Sequence, residues 1–155
     1  MEPNITLADF KQSAGTKLKL SDWLLIDQQR INAFADATND HQFIHTDPER
    51  AASTPFGCTI AHGFLTLSLL SDLLAQSMLW PEGTEMVLNY GSDKVRFLQP
   101  VKVNSRIRAR SEVSAVSQKR ASQYLLRTSV VVEIENDKHP ALIADILSLY
   151  VIKES

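Results

Sequence analysis

The sequence predicts an α+β fold in which an antiparallel sheet wraps one long apolar helix, and three patterns carry that prediction. From Ile60 to Trp80 large apolar side chains recur at i, i+3, i+4 and i+7 and fill most of the gaps between, with Asp72 the only acidic or basic side chain other than His62 from Ala51 to Pro81. A helix this apolar is expected to be buried on nearly every side. After Gly83 the apolar period shortens to two residues, the signature of half-buried strands. At 155 residues, with 44% hydrophobic and 22% charged content and no low-complexity run, the chain can enclose one sizeable core, so residues 1–155 read as a single domain.

Each element has a local reason. Residues 5 to 26, around Gly15 and the Trp23-Leu24-Leu25-Ile26 run, read as extended edge structure. Asp27 is a good N-cap for an amphipathic helix from Gln28 to Ala37 that places Ile31, Phe34 and Ala35 on one side. Thr38-Asn39-Asp40 ends it, because Asn tolerates the left-handed backbone that closes helices. Asp47-Pro48 predicts an N-cap followed by proline at the first helical position, giving a short helix from Pro48 to Ala52. Residues Ser53 to Thr59 lead as a loop into the apolar helix, which Pro81 and Gly83 terminate. Met86 to Leu98 is a strand interrupted at Gly91, where a bulge or a close backbone approach is expected. Val101 to Val113 and Tyr124 to Ile134 alternate cleanly and form an antiparallel hairpin across the polar Ser117 to Ser122. Leu142 to Ile152 is the last strand, apolar on both faces from Ile146 onward, which suggests that one face meets the helix and the other a partner subunit.

Composition narrows the function classes. A formal net charge of -2 gives no general attraction to nucleic acid or to an anionic membrane. At roughly 17 residues the apolar helix is short for a bilayer, and its Thr66, Ser68, Ser71, Asp72 and Gln76 suit lipid poorly. A single cysteine, Cys58, permits no internal disulfide and reads as an inert buried thiol in a reducing compartment. The N-terminus lacks the pattern of a secretory signal, so the cytoplasm is the expected location. His41 and His45 with Asp40 and Asp47 match no common zinc spacing, and no metal is expected. The face carrying Lys102, Arg106, Arg108 and Arg110 suits either coenzyme A phosphates or pairing with Glu133 and Glu135 across the hairpin.

Chemistry is concentrated before the apolar helix, in Ala37 to Pro48. Asp40 and His45 are five residues apart, a spacing that neither a regular helix nor a strand brings to one point, so an irregular loop must join them. Converging there, a carboxylate and an imidazole can share a water and divide acid and base roles. Without such convergence they are solvated turn residues.

The segment Phe34 to Ala51, with its Thr38-Asn39-Asp40-His41-Gln42-Phe43-Ile44-His45 core and the following Asp47-Pro48, resembles the hydratase motif of the MaoC-like dehydratases, the (R)-specific enoyl-CoA hydratases. Ile60-Ala61-His62-Gly63 and the Lys94 to Val101 stretch resemble the same family from about Ser21 onward, most closely its nodulation protein N branch. Three positions depart from the motif: Asn39 stands for Gly, Gln42 for Asn and Phe43 for Pro. The resemblance implies a hot dog fold and reversible addition of water to the 2,3 double bond of an enoyl thioester of coenzyme A or acyl carrier protein. It implies no cofactor beyond the thioester substrate, and a homodimer.

On this resemblance His45 is the base, Asp40 orients and relays, and the Gly63 N–H at the start of the helix receives the enolate oxygen. Gln42 belongs to the substrate-binding loop. Ser71 either ties that loop down or bonds its own helix backbone, and His62 reads first as a histidine at the helix entry or the edge of the core and second as one with a catalytic part. Two other classes stay open: a hot dog thioesterase, for which Asp72 is the candidate acid, and a noncatalytic acyl-thioester binding module.

Overall fold

The computed structural model describes residues 2–153. In chain order the elements are α1 (Leu7–Lys11), β1 (Leu24–Ile26), α2 (Gln28–Thr38), α3 (Phe43–Thr46), α4 (Pro48–Ala52), α5 (Gly63–Ser68), α6 (Leu70–Ala75), β2 (Thr84–Phe97), β3 (Ser105–Arg120), β4 (Gln123–Ile134) and β5 (Leu142–Ile152). The strands form one antiparallel sheet in the order β1-β3-β4-β5-β2. Helices α5 and α6 lie against it, their Leu65, Leu70 and Leu73 packing with Ile107, Val130, Val132 and Leu142. This is the helix-on-sheet arrangement that the patterning predicts.

Where a sequence signal is local, the structure follows it closely. Asp27 caps α2 through Arg30 N, and Asn39 closes it at φ 58°. Asp47 caps α4, with Pro48 in the first turn. The odd residues Ile107, Ala109 and Val113 of β3 are buried, as are the even residues of β4 from Tyr124 to Ile134. Gly91 follows a register shift in the β2–β5 pairing, so the expected bulge is present.

Four expectations need correction. Residues 7–11 are helical rather than extended: Thr6 caps α1 by accepting from Asp9 N, and its hydroxyl donates to the Asp9 carboxylate. This is the reciprocal capping that a Thr-x-x-Asp spacing supports. It drives Phe10 into a second core against Tyr124 and Tyr150, at ring centroid distances of 6.4 and 5.0 Å.

The apolar helix is also shorter and divided. It is interrupted at Leu69, which stays right-handed at φ -66° and ψ -13°, and it ends at Ala75 rather than Trp80. Beyond Ala75 the backbone serves another partner: Asn4 donates from Nδ2 to Met78 O, and its Oδ1 accepts from Trp80 N. Pro81 disfavours helix at the residue before it.

Burial, too, is one-sided. Leu65, Thr66, Leu70 and Leu73 are buried, while Phe64 is 67% exposed and Ser68, Ser71 and Asp72 face outward.

Finally, β3 starts later and runs further than the expected Val101 to Val113: it spans Ser105–Arg120, and Ser117 to Arg120, expected as part of the connection, pair with β4 as far as Arg120 opposite Gln123. The open long edge is β2, where Met86, Leu88, Tyr90 and Phe97 are exposed.

The basic face of β3 is a paired one. Arg106 meets Glu135 at 3.2 Å, Arg108 and Arg110 share Glu133 at 2.8 and 2.9 Å, and Arg108 lies 4.4 Å from the Trp23 ring centroid. No helix among the described residues is long and apolar enough to cross a membrane.

Candidate active site

The left-handed turn at Asn39 directs the chain out of α2, and Asp40 follows it with its N–H donating back to Ala35 O at 3.2 Å. His45 is not on an irregular loop, as the spacing alone suggested, but on the single helical turn α3, held by His45 N donating to Gln42 O at 2.9 Å. The irregularity lies between the two residues, where Gln42 adopts ψ 135° and breaks any helix running back to Asp40. This break lets two residues at a non-helical spacing converge.

His45 is buried, and its ring is fixed at one nitrogen. Its Nδ1 lies 2.7 Å from Ile60 O. A carbonyl only accepts, so Nδ1 carries the proton and Nε2 keeps a free lone pair, the form a base requires. The Ile60 amide donates back to Ile44 O at 3.0 Å, which locks the two segments together. Gln28, from the first turn of α2, donates to His45 O at 2.7 Å and accepts from the Thr59 hydroxyl.

Burial holds the His45 pKa below its ordinary 6.5, with His62 adding to the lowering, while the Ile60 hydrogen bond and Asp40 oppose it. Activity that needs neutral His45 should therefore be flat across neutral pH and fall only below 6.5, a profile measurable as kcat/KM against pH. The stability contribution follows the same sign. The unfolded chain binds a proton that the folded one resists, so stability is complete above 6.5 and declines as pH drops through the window beneath it.

His62 completes the cluster. Only 3% exposed, it stacks on His45 with centroids 3.8 Å apart and 24° between the planes. Its Nε2 is 2.9 Å from Asp40 O and 3.9 Å from Asp40 Oδ2. The Asp40 carboxylate is 55% exposed. One atom each from Asp40, His45 and His62 lie within 4.8 Å of one another. That span suits a bridging water, since two hydrogen bonds of about 2.8 Å reach roughly 5 Å. The same three residues could each offer one ligand atom to an ion, and a ring nitrogen bonded to a carbonyl serves a metal-ligating histidine and a catalytic one alike.

Beside His45 is a pocket of about 280 Å³ lined by Ile60, Gly63, Thr66, Phe97, Gln99 and Ala141 among others. Gly63 opens α5, so its N–H has no partner within the helix. A Cβ there would lie 2.9 Å from the Phe97 ring, so the position excludes a side chain without movement.

The remaining candidates fall elsewhere. Gln42 precedes α3, exposed and making no side-chain cap. Ser71 is exposed on α6 and lines a separate groove of about 630 Å³ between α6 and the sheet, so the hydrogen bond to the Asp40 loop considered for it is absent. Asp72 is exposed and away from the His45 pocket. Gln28 escaped sequence reading because it looks like any first-turn helix residue, and His62 because its partners lie far from it in sequence.

Residues 9–134 match the family model described as a MaoC like domain. The chain is 49% identical to nodulation protein N of Rhizobium leguminosarum bv. viciae over 94% of its own length and 91% of that protein's. It is 47% identical to 3-hydroxyacyl-thioester dehydratase Z of Mycobacterium tuberculosis, covering 94% and 96% of the two chains. Among solved structures, a monoamine oxidase regulatory protein from Archaeoglobus superimposes with a TM-score of 0.82 at 25% identity, over 99% of this chain and 98% of that one. A family match spanning most of the chain, together with relatives 47–49% identical over nearly its full length, establishes that the protein belongs to the MaoC-like dehydratase family.

Proposed function

We infer that the protein is a hydratase/dehydratase that adds water reversibly to the 2,3 double bond of an enoyl thioester, giving an (R)-3-hydroxyacyl thioester. The observation that carries this is the free Nε2 of buried His45 beside a pocket that also presents the Gly63 amide. The 3-hydroxyacyl-thioester dehydratase name of a relative at 47% identity supports the same chemistry.

His45 Nε2 takes a proton from a water held between it and Asp40, and the water oxygen bonds to C3. The double-bond electrons move to C2 and onto the thioester oxygen, which the Gly63 N–H stabilises as an oxyanion. The proton taken by His45 passes through Asp40 to C2 as the enolate collapses, which restores the thioester and returns both side chains to their starting states. One water is consumed and no electron changes hands. The chemistry therefore needs no redox cofactor, and coenzyme A or acyl carrier protein enters as part of the substrate.

Neither alternative finds its residues in place. Asp72, the acid a thioesterase would use, is exposed on α6 outside the His45 pocket, and Asp40 and His45 are close enough to share a water, which a noncatalytic module would not require. Incubation with crotonyl-CoA tests the assignment: the enoyl absorbance should fall without release of free thiol. Thiol release at the same rate would assign a thioesterase instead.

The protein also functions as a homodimer in this reading, paired through β2 rather than β5. The exposed Met86, Leu88, Tyr90 and Phe97 of that strand, with Phe64 and Leu98, leave an unpaired apolar edge that a second copy would cover. Light scattering should give about twice the chain mass of 17.3 kDa, and a fully active species at 17.3 kDa would rule the dimer out.

A further inference from the structure

We propose that His62 is a positioning residue for the hydration reaction, holding the Asp40 main chain with one ring nitrogen and the plane of His45 with its ring face. The inference rests on the assignment of Asp40 and His45 as the reacting pair, and three observations about His62 support it.

The first is reach. His62 lies at the N-cap of α5, yet it makes no side-chain capping bond there; its Nε2 instead meets Asp40 O at 2.9 Å, across 22 positions of sequence. Because that carbonyl only accepts, Nε2–H donates, and the bond fixes the residue immediately after the left-handed Asn39. The Asp40 side chain has little else to hold it. It is exposed, and its nearest internal hydrogen bond, from Gln42 N, is 3.5 Å long.

The second is stacking. The His45 ring lies 3.8 Å from that of His62, and Phe34 backs His62 on a centroid distance of 5.1 Å. The base therefore cannot tilt without displacing the ring that holds the acid. The charged or titratable groups acting on His45 are Asp40, from the end of α2, and His62, from the start of α5.

The third is an orphan. His62 Nδ1 is buried with no hydrogen-bond partner among the described residues. A side chain present only to fill space under α5 would be less costly as an apolar ring, since a buried polar atom without a partner is destabilising. The polar ring gains only the Nε2–H bond to Asp40.

Two variants separate the ring from its donor. His62→Phe keeps the stack and removes the donor, while His62→Gln restores a donor at similar reach and removes the stack. With crotonyl-CoA as substrate, His62→Phe should lose about tenfold to a hundredfold in kcat with KM within about twofold, because misplacing a catalytic group without weakening substrate binding acts on kcat. His62→Gln should stay within about tenfold of wild type. Wild-type kcat in His62→Phe would overturn the hold on Asp40, and wild-type kcat in both variants would overturn the proposal whole. If His62→Phe does not fold, His62→Gln decides alone: it lacks the stack, so wild-type kcat in it overturns the hold on the His45 ring.

The Asp40 carbonyl carbon resonance gives a readout independent of activity. It should shift in His62→Phe and return in His62→Gln; an unchanged resonance in His62→Phe overturns the contact. A wild-type protein that hydrates no enoyl thioester would refute the function assignment, while the resonance would still judge the His62 bond.

Discussion

Replacing His45 by glutamine, or Asp40 by asparagine, is expected to lower hydration by about 10²–10⁴ while leaving the protein folded. The two substitutions remove different things. Glutamine can still donate to Ile60 O in place of the His45 Nδ1–H, so the wall of the pocket survives, but it has no basic nitrogen at the Nε2 position. Asparagine keeps the shape of Asp40 but loses the charge that can accept and relay a proton. Asp40 is half exposed and makes one long internal hydrogen bond, so its loss should move the melting temperature little. The measurements are kcat/KM on an enoyl thioester and a thermal melt for each variant. Wild-type activity in either would refute the acid/base assignment.

The second large effect concerns stability alone. Phe10→Ala is expected to cost about 3–5 kcal/mol, because Phe10 is fully buried and its ring fills the space between Tyr124 and Tyr150. In a domain of this size that corresponds to a fall of about 6–20 °C in Tm. The site should be unaffected until the protein melts. Phe10 belongs to the second core, with Val113, Leu126 and Ile152, whereas His45 and Gly63 line a pocket against Phe97 and Val101. A denaturant titration checks it. A loss below about 1 kcal/mol would mean that α1 does not plug this core.

Elements whose cause is local could be read from the sequence. The strand from Leu142 to Ile152 has its expected limits, and β4 begins one residue before the expected Tyr124, because alternation is written directly into the chain. The Asp27 and Asn39 caps of α2 and the Asp47-Pro48 start of α4 are likewise single-residue signals. Asp40 and His45 could be picked out by residue type and motif. How they converge could not, because it depends on the break at Gln42 and on the Ile60 carbonyl fifteen positions beyond His45.

The features that stayed hidden are non-local. Periodicity shows that β5 is apolar on both faces but not that β2 pairs with it at the edge of the sheet. Likewise it shows that residues 64 to 74 are apolar but not that Phe64 is left outside the sheet. The short helix α1 was legible in the Thr6-x-x-Asp9 spacing, a capping signal overlooked among residues that otherwise alternate. His62 carries no local mark beyond being the one histidine in an apolar stretch, and its role depends on the ring of one residue and the carbonyl of another.

The central claim is that water adds to C3 of a thioester whose acyl–sulfur bond stays intact. Crotonyl-CoA incubated with the protein in ¹⁸O-labelled water, followed by mass spectrometry of the products, tests this most directly. The account predicts 3-hydroxybutyryl-CoA carrying one ¹⁸O in its hydroxyl group, of the R configuration, with no free coenzyme A. Labelled crotonate together with free coenzyme A would contradict it.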